Sequence, residues 1–590
     1  MHLEYITLGA YFILLLGLGW GFSRMTKNMS DFVRGGARGT WWLVGSSILM
    51  AGISAFTFTG NGSAAFLAGP TFLIIYVANC IAYLIGWLFL AAWFRQTRAF
   101  TYADLLRARF GTAVEQFSSY TGILMGPLAA SIQLWALAMF ASVVFGFSLT
   151  GTIVVIGLVV VIYSTVGGRW AVMATDFVQG VIMMVITTVV AILALQHIGG
   201  FGAFFSYFTD PRFVEDFKLV KEPGQFGNDR FTMKWIVVIF FMTLYHQISL
   251  ITANRYLAVK DGREAKRASL LAFVLMAVGS VIWFFPPMVA RFMYGDEILA
   301  QGLENPAESA YAYLAMKLLP NGLLGILIAA MFAATMSSMD SGLNMQAGIV
   351  VRNIVPRLRS ALGLDPEISN RAQMWICYLS TLFFGAVIIG GAILFAQQQE
   401  IILFDAYLII GSIIGIPLGF PLVMGLWFKR IPFGSYFVIF GACMIPSLVS
   451  FYDGHFNNNP WTIQDRAVWI FIAGTVATLA CFPMWRWAGR KQREQISEFF
   501  TTMHTPVDFE SEIGESTDKK QARLIGISTT ILGCAMFLLL LVPNTIVERM
   551  WILAVAGFVT IVGVSLSIYG RQIKSPKRNR KLVKTNQEIS

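Results

Sequence analysis

Apolar stretches of about 20 residues, each long enough to cross a bilayer, recur from one end of the chain to the other. About fifteen spans are predicted: 4–22, 41–68, 71–93, 116–147, 149–166, 171–197, 235–256, 268–292, 321–350, 372–396, 401–428, 433–451, 465–485, 523–543 and 548–569. The pattern predicts an all-α polytopic membrane protein.

Two spans break the apolar rule. In 321–350, Ser337, Asp340, Ser341 and Asn344 recur at i, i+3, i+4 and i+7, which lays a polar stripe along one helix face. A single serine bonding back to its own helix is ordinary glue between membrane helices. A stripe that includes a carboxylate instead predicts an ion or substrate path. In 41–68, the run from Met50 to Ser63 holds glycine, serine, threonine and asparagine in mid-span. Glycine weakens a helix by about 1 kcal/mol relative to alanine, and hydroxyls offer the backbone other partners. A helix broken here would free carbonyls at membrane depth, tolerable only against protein or a wet cavity. A glycine-rich packing face fits the same residues.

Composition and charge narrow the class. The chain is 56% hydrophobic and 13% charged, with mean hydropathy +0.67. The net charge of +11 needs no nucleic acid, because the basic residues fall in alternate loops. They cluster around Arg24–Arg38, Arg95–Arg109, Arg255–Arg267, Arg352–Arg359, 486–523 and the tail after Arg571. About 34 of the 43 Lys and Arg share one side, which the positive-inside rule makes cytoplasmic, with the N-terminus outside and the C-terminus inside. A multi-pass cytoplasmic-membrane location follows, with no cleavable signal peptide. The five cysteines lie in apolar spans without metal-ligand spacing, and the five histidines are scattered. No Walker loop, paired-histidine haem spacing, GxSxG or HExxH motif stands in a fitting context, so neither an enzyme nor an ATP-driven pump is indicated.

Four separate segments carry a family resemblance. They are Ile53-Ser54-Ala55 with Phe58 and Gly60; Gly167-Gly168-Arg169 through Ala171-Val172, Thr175-Asp176 and Gln179; Arg255–Lys260; and Ala333-Ala334-Thr335-Met336-Ser337-Ser338. On these, the chain resembles the sodium:solute symporter family. The resemblance implies a LeuT-like core of two inverted five-helix repeats and sodium-coupled uptake by alternating access. Its residue ranges would be 1–40 for an extra span and loop, 41–197 and 233–430 for the repeats, and 198–232 for an outer loop. The remainder divides into two spans in 431–485, a cytoplasmic segment 486–522, two spans in 523–570 and a tail 571–590.

The same resemblance implies a sodium site from the carbonyls of Met50, Ile53 and Ala334 and the hydroxyls of Ser337 and Ser338. Neutral oxygens suit a hard monovalent ion that must also leave. A second sodium site would use Asp176, Asp340 and Ser341 beside Ser337. An aspartate at 340 strengthens such a site or makes it proton-sensitive; pairing with a basic residue is the alternative. The positions that contact galactose in family members fall on Gly52, Thr57, Tyr76 and Asn79, so that binding mode does not transfer. Polar residues placed to line a midplane pocket are Thr57, Asn61, Tyr76, Asn79, Gln133, Tyr245, His246, Gln247, Ser249 and Tyr407. The expected partners are Na+, a small organic solute (sugar, polyol or carboxylate) and the lipid bilayer. Oligomeric state is not legible. A proton-coupled carrier and a transporter-like sensor are the rival readings.

Overall fold

The computed structural model describes residues 29–301, 305–397, 408–514 and 516–572, with isolated positions 9, 13 and 17. The expected span 4–22, the start of 401–428 and most of the tail 571–590 lie outside the described residues. Sixteen helices, labelled here in chain order, carry the architecture. They are α1 (Trp41–Ala51), α2 (Gly60–Ala68), α3 (Ile74–Ile85), α4 (Tyr102–Phe110), α5 (Thr112–Phe145), α6 (Leu149–Ile198), α7 (Met233–Gln247) and α8 (Gly262–Leu299). There follow α9 (Leu323–Ile349), α10 (Asn370–Ala396), α11 (Ile416–Trp427), α12 (Ser435–Phe456), α13 (Ile463–Cys481), α14 (Arg490–His504), α15 (Asp518–Met536) and α16 (Ile546–Gln572). Among the described residues, eleven helical stretches are long and apolar enough to cross a membrane; Trp41–Ala51 and Leu149–Ile162 are apolar but shorter.

Four expected spans take other forms. The run 41–68 is α1, an unwound stretch, the single turn Ala55–Phe58 and then α2. The runs 149–166 and 171–197 are one helix assignment of 50 residues. A straight helix of that length would reach about 75 Å, more than twice a hydrocarbon core, so the two apolar stretches count as separate crossings. The run 235–256 stops as a helix at Gln247 and continues as the 3-10 turn Leu250–Arg255. Hydroxyls cause this second interruption: Ser249 Oγ donates to the His246 carbonyl and Thr252 Oγ1 to that of Gln247, at 2.8 and 2.9 Å.

The polar stripe sits at the centre of the bundle. Within its apolar window α9 is 89% buried, far more than the other spanning stretches. It packs on α1, α5, α6 and α10. The last two helices, α15 and α16, form a tight pair in which Gly526, Gly533 and Gly563 admit the opposite backbone. A Cβ on any of them would come within 2.4–2.6 Å of the partner's backbone nitrogen.

Tertiary contacts separate two faces. On one, which carries the basic clusters, Arg98 pairs bidentately with Glu512, Lys260 with Asp518, and Gln521 reaches the carbonyl of Arg38. Here also Arg109, with no exposed surface, ties α4 to the end of α11. Its Nε donates to the Gly425 carbonyl at 2.7 Å, and a terminal nitrogen donates to Phe428 and Ile431 at 3.0 and 3.1 Å. A cation belongs at a helix C-terminus, where carbonyls lack intrahelical partners.

On the opposite face the segment between α6 and α7 folds over the end of α2. Gly69 adopts a φ of +63°, and a Cβ there would lie 2.6 Å from the Phe217 ring. Lys221, only 2% exposed, donates to the carbonyl of Ala68 at 3.0 Å and to Thr71 Oγ1 at 3.3 Å. Burial lowers its pKa from 10.5 to about 8, with Asp216 opposing. Across that interval the unfolded chain binds the proton that the folded chain lacks, so this group's contribution to stability rises with pH. Thermal melts of wild type at about pH 7.5 and about pH 9.5 are expected to differ by about 1–3 °C more, in favour of the higher pH, than those of Lys221→Met. Identical pH responses would exclude this role.

Candidate functional site

The break after α1 is fixed from both sides. Gly52 N–H donates back to the Leu49 carbonyl at 2.9 Å and Ile53 N–H to that of Met50 at 3.3 Å. Beyond them Ser54 is extended, and its N–H donates to Thr57 Oγ1 at 3.3 Å. The next amide, Ala55 N–H, donates 2.8 Å across to Thr335 Oγ1 of α9. The stripe therefore docks on the break itself. Met50 and Ile53 flank the unwound stretch, and Ala334, Ser337 and Ser338 lie within a turn of the contact.

A buried carboxylate joins the same two helices. Asp176 of α6, 1% exposed, accepts from Ser47 Oγ of α1 at 2.5 Å. Its other oxygen and Ser337 Oγ are both buried without a hydrogen-bond partner, although the two groups lie close enough to interact. Buried oxygens without a well-formed hydrogen bond are costly in a native interior, and a cation beside this pair would satisfy both. Ser338 Oγ is 2.7 Å from Gln133 Oε1 of α5 and 2.9 Å from the Thr335 carbonyl. Its single hydrogen serves those acceptors, and its lone pairs remain free for a cation.

Asp340 takes its hydrogen bond from Ser164 Oγ, not from a basic residue, among the described residues. It lies within the electrostatic reach of Asp176. Arg169, which acts on Asp176 in turn, donates to Ser341 Oγ at 3.1 Å. With both carboxylates ionised, the cluster carries one net negative charge. A cavity of about 200 Å³ leads from Ser47, Ser338 and Ser341 past Arg169 and His246 to Arg34 and Arg255 on the basic face. Toward the opposite face, Phe58 packs edge-on against Tyr311 and Trp283, and Phe284 against Phe72, at 4.5–6.2 Å between ring centres.

The residues expected to line a pocket are not one group. Asn61 Nδ2 donates to the Tyr76 hydroxyl at 2.8 Å. Gln247 links Asn79 (2.5 Å) to Arg255 (2.7 Å). His246 borders the cavity, and Gln133 holds Ser338. Thr57 serves the turn after the break and Ser249 the second interruption. Tyr245 is packed elsewhere: it stacks on Phe420 at 5.0 Å and donates to that residue's carbonyl at 2.6 Å. Tyr407 lies outside the described residues. Sequence reasoning missed Ser47 and Thr335 as partners of the site. The signal for the first was a serine pair, Ser46-Ser47, one turn before a predicted break.

A buried, acid-bearing polar seam at a broken helix is how membrane transporters build an ion path. The pattern that defines the sodium:solute symporter family matches residues 32–433, and the chain belongs to that family. Sodium/glucose cotransporter 2 of Rattus norvegicus is 25% identical over 471 residues, 72% of this chain and 68% of its own length. The sodium/sialic acid symporter SiaT of Proteus mirabilis (strain HI4320) is 26% identical, over 80% of this chain and 94% of its own. Human sodium-coupled monocarboxylate transporter 2 is 25% identical, over 65% and 62%. Among solved structures, the substrate-bound outward-open state of a Na+-coupled sialic acid symporter shares the fold. It aligns with TM-score 0.69 at 20% identity, over 82% of this chain and 98% of that one.

Proposed function

We propose that this chain couples inward sodium flow to the uptake of a small organic solute by alternating access. The observation that carries the reading is the pair of unpartnered oxygens, on Asp176 and Ser337, beside a helix break that α9 clasps through Thr335. One sodium would take the carbonyls of Met50, Ile53 and Ala334 and the hydroxyls of Ser337 and Ser338. A second would lie toward Asp176, Asp340 and Ser341, where the net negative charge suits a monovalent cation. In this reading the basic face is cytoplasmic, so the described cavity opens inward. The ranges 41–197 and 233–430 form the two inverted repeats, each with an interrupted helix, within a total of about fifteen spans. Loop 198–232, the pair of spans 431–485, segment 486–522 and the last spans 523–570 stand outside that core.

For the solute, His246, Asn61, Tyr76, Asn79, Gln133 and Gln247 supply polar groups near the break. The three guanidiniums of Arg34, Arg169 and Arg255 along the cavity favour a carboxylate within the sugar, polyol and carboxylate range. A second reading, proton coupling, rests on Asp340, a buried carboxylate held by a hydroxyl rather than a cation. Proteoliposomes separate them. A panel of labelled sugars, polyols and carboxylates is expected to include one that accumulates against its gradient when sodium is high outside. Accumulation driven by a pH step without sodium would assign the coupling to protons. Binding without accumulation would make the chain a sensor.

A further inference from the structure

A larger cavity, about 470 Å³, lies on the basic face beneath α14. Its charged lining is Arg34, Arg98, Arg107 and Arg352 with Asp104 and Glu498. Asp104 and the neighbouring Glu512 are already engaged. Asp104 closes the start of its own helix, accepting from the Thr101 amide at 3.2 Å, and takes a bond from Asn353 at 3.3 Å. Glu512, outside the cavity, satisfies Arg98 at 2.6 and 2.8 Å. Arg107 reaches Asp104 at 3.4 Å and Glu115 at 3.9 Å.

Two guanidiniums remain poorly matched. Arg352 comes no nearer than 3.8 Å to Asp104. Arg34 makes no ion pair among the described residues; it donates to Ser30 Oγ and the Ala99 carbonyl, both at 3.2 Å. Both lie over one ring, that of Phe100, at 4.6 and 5.5 Å. Burial lowers the pKa of Arg34; Asp104 opposes that shift and the like charge of Arg352 adds to it. Two like charges held together in a half-buried site with donor edges to spare are stable when an anion lies between them. The guanidinium fork fits phosphate oxygens two at a time, and Arg34 with Arg352 presents two such forks to one anion.

We propose that this cavity binds a phosphate-bearing anion between Arg34 and Arg352. The bound anion joins four segments that are far apart in sequence: the residues before α1, the stretch 97–108 that runs into α4, the end of the stripe-bearing helix and α14. The cavity shares Arg34 and Phe100 with the smaller one that leads to the polar seam. An anion there fixes the geometry of the entrance on the basic face, and its supply sets how readily that entrance changes. This site is separate from the sodium reading and stands or falls without it.

The test is a thermal-stability titration of the purified full chain in neutral detergent at constant ionic strength. One arm adds inorganic phosphate, with chloride and acetate as controls; another adds phosphatidic acid as mixed micelles. A saturable stabilisation by phosphate, weakened at least tenfold in Arg34→Gln and Arg352→Gln and unchanged in Arg490→Gln on the exposed side of α14, is the expected result. Stabilisation by phosphatidic acid alone, with the same dependence on Arg34 and Arg352, places the phosphate on a lipid headgroup. Arg34→Lys and Arg352→Lys keep the charge and the fold and are expected to lose most of the affinity with the fork. No saturable shift in either arm, or a shift indifferent to both arginines, overturns the proposal.

Discussion

Ser337→Ala is expected to raise the sodium concentration for half-saturation by about 10- to 100-fold, since a bond to a charged partner in a buried site contributes about 1.5–3 kcal/mol. The hydroxyl is 1% exposed and its polar neighbour is the Asp176 carboxylate, so its loss leaves the other hydrogen bonds of the fold in place. What it removes is one oxygen beside the Asp176 carboxylate. Asp176→Asn is the companion: it keeps the shape and the bond to Ser47 while removing the charge. Sodium titrations of thermal stability check both variants. An unchanged half-saturation in Ser337→Ala would remove this hydroxyl from the site.

Arg109→Ala carries the largest expected cost in stability. Three carbonyls at the end of α11 lose their donor at once, and each buried, unsatisfied polar group costs about 1–3 kcal/mol. The side chain also lies over Phe110 at 4.6 Å, so its removal leaves a void as well as orphaned acceptors. A total of about 3–6 kcal/mol is expected, seen as a fall of about 3–5 °C in the melting temperature of a chain this long and a low yield of monodisperse protein. Arg109→Lys keeps the charge, but one ammonium cannot meet carbonyls at residues 425, 428 and 431 together, so it should fall between. A melting temperature for the alanine variant within about 2 °C of wild type would show that the helix end is satisfied in some other way.

How far the sequence carried the account depends on the range of each interaction. The stripe on α9 was legible because its members repeat at helical spacing within one turn or two. The first break was legible because glycine and hydroxyl residues in mid-span have a local cost. The second break was not, although His246 and Ser249 had been singled out. Ser249 spends its hydroxyl on the His246 carbonyl where the helix ends, while His246 borders the cavity; a polar residue in a span reads equally well as a pocket residue or a turn former. Tyr245 shows the same ambiguity resolved the other way, with its hydroxyl spent on the carbonyl of Phe420. Ser47 and Asp176 stand 129 residues apart, and Arg109 lies 316 residues from Gly425. No local periodicity connects such pairs, so nothing in the sequence named Gly425 as the partner of Arg109.

The account's central claim is that a sodium ion occupies the seam between the helix break and α9. Its most direct test is the melting temperature of the purified chain titrated with sodium, lithium, potassium and choline chloride at two pH values, beside a Ser337→Ala/Ser338→Ala variant. The account predicts a saturable stabilisation by sodium, absent with potassium and choline and lost in the variant. A response that follows pH and ignores sodium, or a sodium response that survives in the variant, would contradict it.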